Sequence, residues 1–183
     1  MEKESSNKKT IQDYGIIFIS GSINGAAAER ICQDIIRINL ERPTDHIQMI
    51  INSGGGDISA GFAIIDMMEW SSLPVYTTGL GLVASMALGI FMSGHKGHRI
   101  LTPRTSLLSH RFFSISAGNH SELIARRKEE DFLHERLIEH YIAHSNIQTK
   151  EEVEAILLRD VDTWLTPEEA IGYGIADNVY TSK

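Results

Sequence analysis

The sequence predicts a single α/β domain built around a mainly parallel sheet. From residue 16 onwards, short apolar segments alternate with segments of helical periodicity, which is the order of βαβ units. The 183 residues suffice for one full hydrophobic core and are too few for two. Apolar residues make up 42% and charged residues 22% of the chain, the balance of an ordinary globular domain.

The elements of the first half follow one another regularly. The chain begins with a short polar segment, 1–14, which we expect to be mobile as far as Lys9, and the domain occupies 15–183. The predicted strands are 16–20, 47–51, 75–78, 98–101 and 106–109, and the predicted helices are 26–40, 58–70 and 85–92. Asn24 is placed to cap the first of these helices.

The second half opens with a long charged helix, predicted over about 121–145. Apolar residues recur at helical spacing only in its second half, whereas the first half is too polar to cover a core. This pattern fits a helix that projects to meet another subunit, and equally a solvated face. Capping boxes at Thr149–Glu152 and Thr166–Glu169 start two short helices, and 176–179 is the last strand.

Charge and composition exclude several classes of function. The net charge of −7 argues against general binding to nucleic acid or to an anionic membrane. No segment is long and apolar enough to span a membrane. The single cysteine, Cys32, reads as a small core residue in a reducing compartment. We therefore expect a cytoplasmic protein that binds neither nucleic acid nor membrane.

A glycine-rich turn, Ile51-Asn-Ser-Gly-Gly-Gly-Asp57, lies between a strand and a helix. A tight turn needs only one glycine, or two. Three glycines let the backbone adopt positive φ angles and approach a ligand, so that N–H groups point into a site. We expect Gly54, Gly55 and Gly56 to bind an anion or an extended peptide.

Ser85 lies where the third strand gives way to an apolar helix. A serine there is most often a cap, but a helix N-terminus also suits an activated nucleophile and its oxyanion. The preceding segment Gly79–Ala84 matches the dinucleotide pattern G-x-G-x-x-A. That pattern needs an acidic residue about 20 positions later, and none occurs between Glu69 and Glu122.

A candidate base and two candidate acids follow. His110 ends an apolar strand, the position at which α/β folds bind ligands. Asp160 and Asp162 precede the last capping box, and either could orient a histidine. His140 and His144 are four residues apart on a helix, but without a third ligand we read them as a solvated face. The sequence predicts neither a metal site nor a cofactor.

Taken in order, these motifs resemble the ClpP family, the proteolytic subunits of Clp proteases (peptidase family S14). Ile51-Asn-Ser-Gly-Gly-Gly56 is similar to the family's Ile-Asn-Ser-Pro-Gly-Gly, and Ala84-Ser-Met86 to its nucleophile motif. The segment from Asp162 to Asp177 resembles the family's Asp-Arg-Phe-Leu-Ser…Glu-Ala…Tyr-Gly-Leu-Val-Asp. The resemblance extends from about Gly15 to the C-terminus.

The resemblance implies a serine endopeptidase with a Ser-His-Asp triad. Ser85 would be the nucleophile, His110 the base and Asp162 the residue that orients it. The backbone N–H groups of Gly56 and Met86 would form the oxyanion hole. The implied fold is the crotonase-like ββα superhelix, in which the long charged helix is a handle that joins two stacked heptameric rings around a chamber for unfolded proteins or peptides.

Three departures separate the chain from the family pattern. The segment before the first strand is short, without the amphipathic helix through which the family meets an AAA+ unfoldase, which argues against that partner. Gly54 and Arg111 stand where the family has prolines. The segment from His110 to Asp162 is slightly long, which keeps Asp160 as a rival. Two other functions stay open: a catalytically silent ring subunit that pairs with an active paralogue, and a crotonase-type acyl-CoA enzyme.

Overall fold

A computed structural model describes residues 9–181. The predicted mobility of the N-terminus as far as Lys9 falls almost wholly on residues 1–8, outside the described residues. A short 3-10 helix, Ile11–Tyr14, leads into the domain and ends at Gly15. Among residues 9–181, no helix is long and apolar enough to cross a membrane.

Within residues 9–181, seven strands form one sheet, and the predicted α/β class is confirmed. The strands are β1 (Ile16–Ser20), β2 (Ile47–Ser53), β3 (Val75–Ala84), β4 (Arg99–Leu101), β5 (Ser106–Ser109), β6 (Thr163–Leu165) and β7 (Asn178–Val179). They pair in the order β1-β2-β3-β4-β7, and β5 pairs with both β3 and β6. Only the β5–β6 pair is antiparallel in this sheet.

Helices cover the apolar strands. They are α1 (Gly25–Glu41), α2 (Ile58–Trp70), α3 (Met86–Met92), α4 (His120–His144), α5 (Lys150–Ile156) and α6 (Pro167–Gly172). The side chain of Asn24 caps α1 as predicted, and both predicted capping boxes are present. Helix α3 is buried along its whole length, at the centre of the core.

Strand β3 is longer than predicted, and its second half changes partner. The prediction ended this strand at Thr78 because glycines follow, but the strand continues to Ala84. A β-bulge absorbs the glycines: Ile51 pairs with Gly79, whereas Ser53 pairs with Val83, and Gly81 takes a φ of 66°. The first half of β3 then pairs with β4 and the second half with β5. Gly79 and Gly81 thus lie inside a strand, which removes the dinucleotide interpretation.

The long helix α4 packs against α3 through its second half. The interpretation of His140 as part of a solvated face is wrong, because α3 covers it and leaves it only 8% exposed. Its Nε2 lies 2.9 Å from the carbonyl oxygen of Gly89 and donates to it. Burial, with a smaller contribution from His144, lowers the pKa of His140 to about 4, so the ring is neutral at physiological pH.

Cys32 is less buried than predicted. It lies partly exposed on α1, with Sγ 3.6 Å from the carbonyl oxygen of Ala63 on α2. Burial and the nearby Asp66 carboxylate raise the pKa of the Cys32 thiol, which keeps it protonated and unreactive.

A buried ion pair ties β4 to the C-terminal segment. Arg99 and Asp177 form a bidentate pair, with Nε–Oδ2 and Nη2–Oδ1 distances of 2.9 and 2.6 Å. Their side chains are 4% and 15% exposed. Arg99 Nη1 also donates to the carbonyl oxygen of His144 at the end of α4. Burial opposes ionisation of Asp177, but hydrogen bonds from Arg99 and Gly97 outweigh it and lower its pKa.

We predict that D177N lowers the free energy of unfolding by about 3 kcal/mol, because it leaves the buried guanidinium of Arg99 without a counter-charge. D131N, at the exposed Arg127–Asp131 pair, serves as the control and changes it by less than about 1 kcal/mol. Urea denaturation at pH 7 and fixed protein concentration measures both. Because the folded pKa of Asp177 is depressed, its stabilisation is present above the unfolded value of 3.8 and is lost as the pH falls below it. The free energies of unfolding of D177N and D131N would therefore approach each other in acid. Equal losses of stability in the two variants at pH 7 would contradict the prediction.

Candidate active site

Ser85 occupies a strained turn between β3 and α3. Its φ and ψ angles are 55° and −127°, and it is one of two non-glycine residues with positive φ in the described chain. Its N–H donates to the carbonyl oxygen of Leu108 on β5, over 2.8 Å. The helix begins at Met86 rather than at Ser85 as predicted, and the Ser85 side chain makes no capping bond. A strand-serine-helix turn of this kind exposes the serine hydroxyl.

His110 meets this hydroxyl. It directly follows β5, which runs parallel to the second half of β3, with Leu108 paired to Ala84. The ends of two adjacent parallel strands thus place His110 Nε2 2.8 Å from Ser85 Oγ. With a neutral ring protonated on Nδ1, the serine hydroxyl donates to Nε2, the bond that a nucleophile needs to its base.

The glycine turn approaches Ser85 through Gly55. A Cβ on Gly55, whose φ is 88°, would lie 2.6 Å from the Ala84 carbonyl oxygen and 2.7 Å from Ser85 Cβ. Gly56 is equally constrained: its φ is 154°, and a Cβ would lie 2.1 Å from the carbonyl oxygen of Ile23. Gly54 has no such constraint, because a Cβ there meets only Leu82 Cδ2 at 3.9 Å. The turn therefore requires two of its three glycines.

Two backbone N–H groups are available beside the hydroxyl. Met86 is the first residue of α3, so its N–H has no acceptor within the helix. A Cβ on Gly55 would lie only 3.0 Å from this nitrogen, which brings the turn against the start of α3. The N–H of Gly55 itself donates to Ser53 Oγ, whereas within residues 9–181 that of Gly56 makes no hydrogen bond. Gly56 and Met86 are thus the neighbouring groups that could stabilise an oxyanion.

Asp162 lies closer to His110 than Asp160 does, but the contact is loose. Asp162 Oδ1 is 3.9 Å from His110 Nδ1, too far for a hydrogen bond, and its side chain is 59% exposed. Asp160 instead pairs with Arg111, over 3.1 Å. Arg111 Nε also donates to the carbonyl oxygen of Leu158, over 2.6 Å. Arg111 therefore anchors the loop that carries both aspartates beside the histidine.

A cavity of about 490 Å³ opens at the serine. Its lining includes Ser85, His110, Gly54 and Gly56. Apolar residues from other segments and two carboxylates also line it. The remaining lining residues are Asp57, Ile58, Ser59, Leu108, Phe112, Phe113, Ser114, Glu130 and Leu133. Leu133 and Glu130 come from α4, so the long helix contributes to the site as well as projecting from it.

Sequence reasoning missed two residues at this site. Glu130 lies in the half of α4 that is too polar to cover a core, and nothing in the helical pattern points to a cavity. The sequence analysis noted only that Arg111 stands where the family has a proline. Its positive charge could have indicated a nearby acidic partner, which is Asp160. For the described chain, no cluster of three or more His, Cys, Asp or Glu residues has the geometry of a metal site.

The chain is similar to known Clp proteases along its whole length. A family model for Clp protease matches residues 2–183. The ATP-dependent Clp protease proteolytic subunit 2 of Corynebacterium glutamicum is 34% identical over 166 residues, covering 91% of this chain and 81% of that protein. The ATP-dependent Clp protease proteolytic subunit of Deinococcus radiodurans is 32% identical over 166 residues, covering 90% and 79%. Subunit 2 of Rhodococcus jostii is 34% identical over 165 residues, covering 90% and 83%.

We predict that G55A lowers the rate at which a fluorophosphonate probe labels Ser85 by about 10²-fold, the worth of one oxyanion donor. An alanine at this position displaces the turn from Ser85 and Met86. G54A is the matched control, because the same methyl group makes only an ordinary van der Waals contact there, with Leu82 Cδ2 at 3.9 Å, and its labelling rate should stay within a few fold of the parent. Active-site labelling followed by mass spectrometry measures both rates. Equal rates in the two variants would contradict this account of the turn.

Proposed function

We propose that this chain, which belongs to the Clp protease family, hydrolyses peptide bonds as a serine endopeptidase with Ser85 as its nucleophile. The observation that carries the proposal is the 2.8 Å contact between Ser85 Oγ and His110 Nε2 at a strained strand-to-helix turn. A serine that served only as a cap would bond the helix backbone, and this one does not.

The first step forms an acyl-enzyme. Ser85 Oγ attacks the carbonyl carbon of the scissile bond while His110 Nε2 takes the hydroxyl proton. The tetrahedral intermediate collapses, the C–N bond breaks, and His110 gives the proton to the leaving amine. A water then enters and attacks the acyl carbon while His110 Nε2 removes its proton. The second tetrahedral intermediate collapses, the bond between the acyl carbon and Ser85 Oγ breaks, and His110 returns the proton to Oγ as the new carboxyl end leaves.

The oxyanion of both intermediates is stabilised by backbone donors. The N–H groups of Gly56 and Met86 are the pair proposed, one from the glycine turn and one from the start of α3. The positive end of the α3 dipole adds to the same field. Gly54 and Gly55 complete the backbone edge along which an extended peptide binds.

Asp162 orients the base and stabilises the imidazolium. At 3.9 Å it acts on His110 electrostatically rather than through a hydrogen bond. Catalytic hydrogen bonds are often long in a free enzyme and shorten in the substrate complex. Asp160 is the weaker candidate, because its carboxylate pairs with Arg111.

The long helix α4 (predicted as the handle) supports assembly into stacked heptameric rings. It exposes apolar side chains that no part of the described chain covers: Leu123, Ile124 and Phe132 are 39%, 59% and 52% exposed. Phe113 and Ile115 in the preceding segment are 82% and 80% exposed. Apolar surface of this extent suits a subunit contact. Native mass spectrometry should give a tetradecamer of about 14 × 20.4 kDa.

The geometry at Ser85 also bears on the two alternative functions, a silent ring subunit and a crotonase-type acyl-CoA enzyme. A silent ring subunit would not need a serine hydroxyl bonded to a histidine. A crotonase-type acyl-CoA enzyme would need a carboxylate base. Asp66 and Glu69 line a different cavity, between α2 and α4. The two carboxylates at the serine are already engaged, Asp57 as the cap of α2 and Glu130 by the hydroxyls of Ser114 and Ser116. An AAA+ unfoldase is the ATPase partner that the family implies, and the names of the related subunits, which include "ATP-dependent", support the same partner here.

We predict that the assembled protein reacts with a fluorophosphonate probe at Ser85 and cleaves a fluorogenic peptide. S85A should abolish both, and H110A should lower both by several orders of magnitude, since the hydroxyl then has no base. Native mass spectrometry of each variant checks that assembly is intact. Intact assemblies of the parent that neither label nor cleave would contradict the proposal and favour the silent subunit.

We predict that D162N lowers kcat by about 10²-fold or more, because the amide cannot stabilise the imidazolium. D160N removes an exposed partner of Arg111 and leaves the Arg111–Leu158 bond in place, so it should cost less than about threefold. Steady-state kinetics on one fluorogenic peptide compares the two variants. A larger loss in D160N than in D162N would transfer the orienting role to Asp160.

A further inference from the structure

The active-site cavity holds a carboxylate that the peptidase mechanism does not use. Glu130, partly buried on α4, lines the same cavity as Ser85 and His110. The cavity's other carboxylate, Asp57, caps α2 by accepting a hydrogen bond from the Ala60 N–H over 2.7 Å. No Lys or Arg is among the described residues that line the cavity. Both carboxylates that line it are therefore acidic groups without a Lys or Arg neighbour in the lining, while Arg111 and Arg127 line the adjoining cavity that Glu130 shares.

Two serines fix the position of Glu130. The hydroxyls of Ser114 and Ser116, in the segment that follows His110, both donate to Glu130 Oε1. These bonds, then weaker attraction from Arg127 and Arg126, lower the pKa of Glu130, so it is charged at neutral pH. They also link the Glu130 carboxylate to the segment that follows His110.

The charge of Glu130 is not cancelled by an ion pair. Arg127, which lines an adjoining cavity together with Glu130, pairs with Asp131, with Nε 3.0 Å from Oδ1. Within residues 9–181, no Lys, Arg or His nitrogen lies within 4.0 Å of the Glu130 carboxylate. Its second oxygen, Oε2, makes no hydrogen bond in the described chain. A cationic group that entered the cavity would find an oriented acceptor.

Several apolar side chains in the lining suit the stem of a long side chain. Ile58, Leu108, Phe112 and Leu133 line the same cavity as the serine and the carboxylate. Lysine and arginine carry a charged head on an aliphatic stem, so they can bury the stem against such a wall and bring the head to a carboxylate. An acidic side chain would be repelled by both Glu130 and Asp57.

We propose that Glu130 is a specificity-determining residue that selects peptides with lysine or arginine beside the scissile bond. The inference rests on the proposed peptidase function and adds its substrate class. Glu130 does not touch the reacting atoms; it binds the neighbouring side chain and contributes to kcat/KM through that contact.

The test uses the full-length assembled protein and internally quenched peptides that differ at one central residue: lysine, leucine or glutamate. Mass spectrometry locates each cut. We expect the parent to cut beside lysine with kcat/KM about tenfold above leucine, the worth of a charged hydrogen bond, and to cut least beside glutamate. E130Q should lose the lysine advantage and keep its rate on leucine. E129Q, the same change at the exposed neighbour, should retain the parent ratio.

Two further measurements make the test decisive. E130K should favour the glutamate peptide over lysine, and 0.5 M salt should reduce the parent's lysine-to-leucine ratio without any mutation. An unchanged ratio in E130Q and at high salt, with Ser85 still labelled by the fluorophosphonate probe, would overturn the role of Glu130 and leave the peptidase function standing. Failure of the parent to label and to cut any peptide would overturn both.

Discussion

The positive φ of Ser85 is the constraint on which the candidate site depends. A non-glycine residue in such a conformation costs about 1–3 kcal/mol, and it persists only when its surroundings hold it. Here the Leu108 carbonyl on β5 holds the Ser85 N–H from one side, and the Gly55 backbone packs against Ser85 from the other. The same conformation points the hydroxyl at His110 and presents the first N–H of α3. The proposed nucleophile, its contact with the proposed base and one proposed oxyanion donor thus follow from one backbone geometry.

The bulge at Gly81 makes this geometry possible, because it gives β3 two sets of partners. The first half of β3 pairs with β4, which the buried Arg99–Asp177 pair ties to the C-terminal segment. The second half pairs with β5, which is followed by His110 and pairs with the short strand β6 after Asp162. One branch of the sheet is fixed by a buried charge pair. The other branch carries the candidate site, where the exposed Asp162 lies 3.9 Å from His110.

The resemblance to the ClpP family implied that the glycine turn meets Ser85. The sequence by itself was enough to predict the order of strands and helices and the strand-end position of His110. These features depend on local periodicity, on turn residues and on the rule that parallel strands end at one edge of the sheet. Prediction from the sequence failed where contact with another strand or helix decides the local structure. Glycines end a strand in isolation, but pairing with β2 carried β3 through Gly79 and Gly81. His140 and Glu130 both lie on the charged helix α4. His140 is buried because α3 packs over it. Glu130 lines the cavity because the segment 111–119 passes beside it.

Arg111 shows how the catalytic branch is held together without the proline that the family has at this position. A proline would fix the backbone after the base but could donate no hydrogen bond. Arg111 leaves the backbone freer and ties the segment to the aspartate loop through Leu158 and Asp160. The bond to the Leu158 carbonyl is short and persists in salt, whereas the pair with Asp160, 89% exposed, weakens as ionic strength rises. Asp162 lies two residues beyond Asp160, so the Arg111 side chain rather than a rigid ring sets the distance between Asp162 and His110. If these two residues act as the proposed acid and base, their contact is the part of the site most open to adjustment by substrate or by assembly.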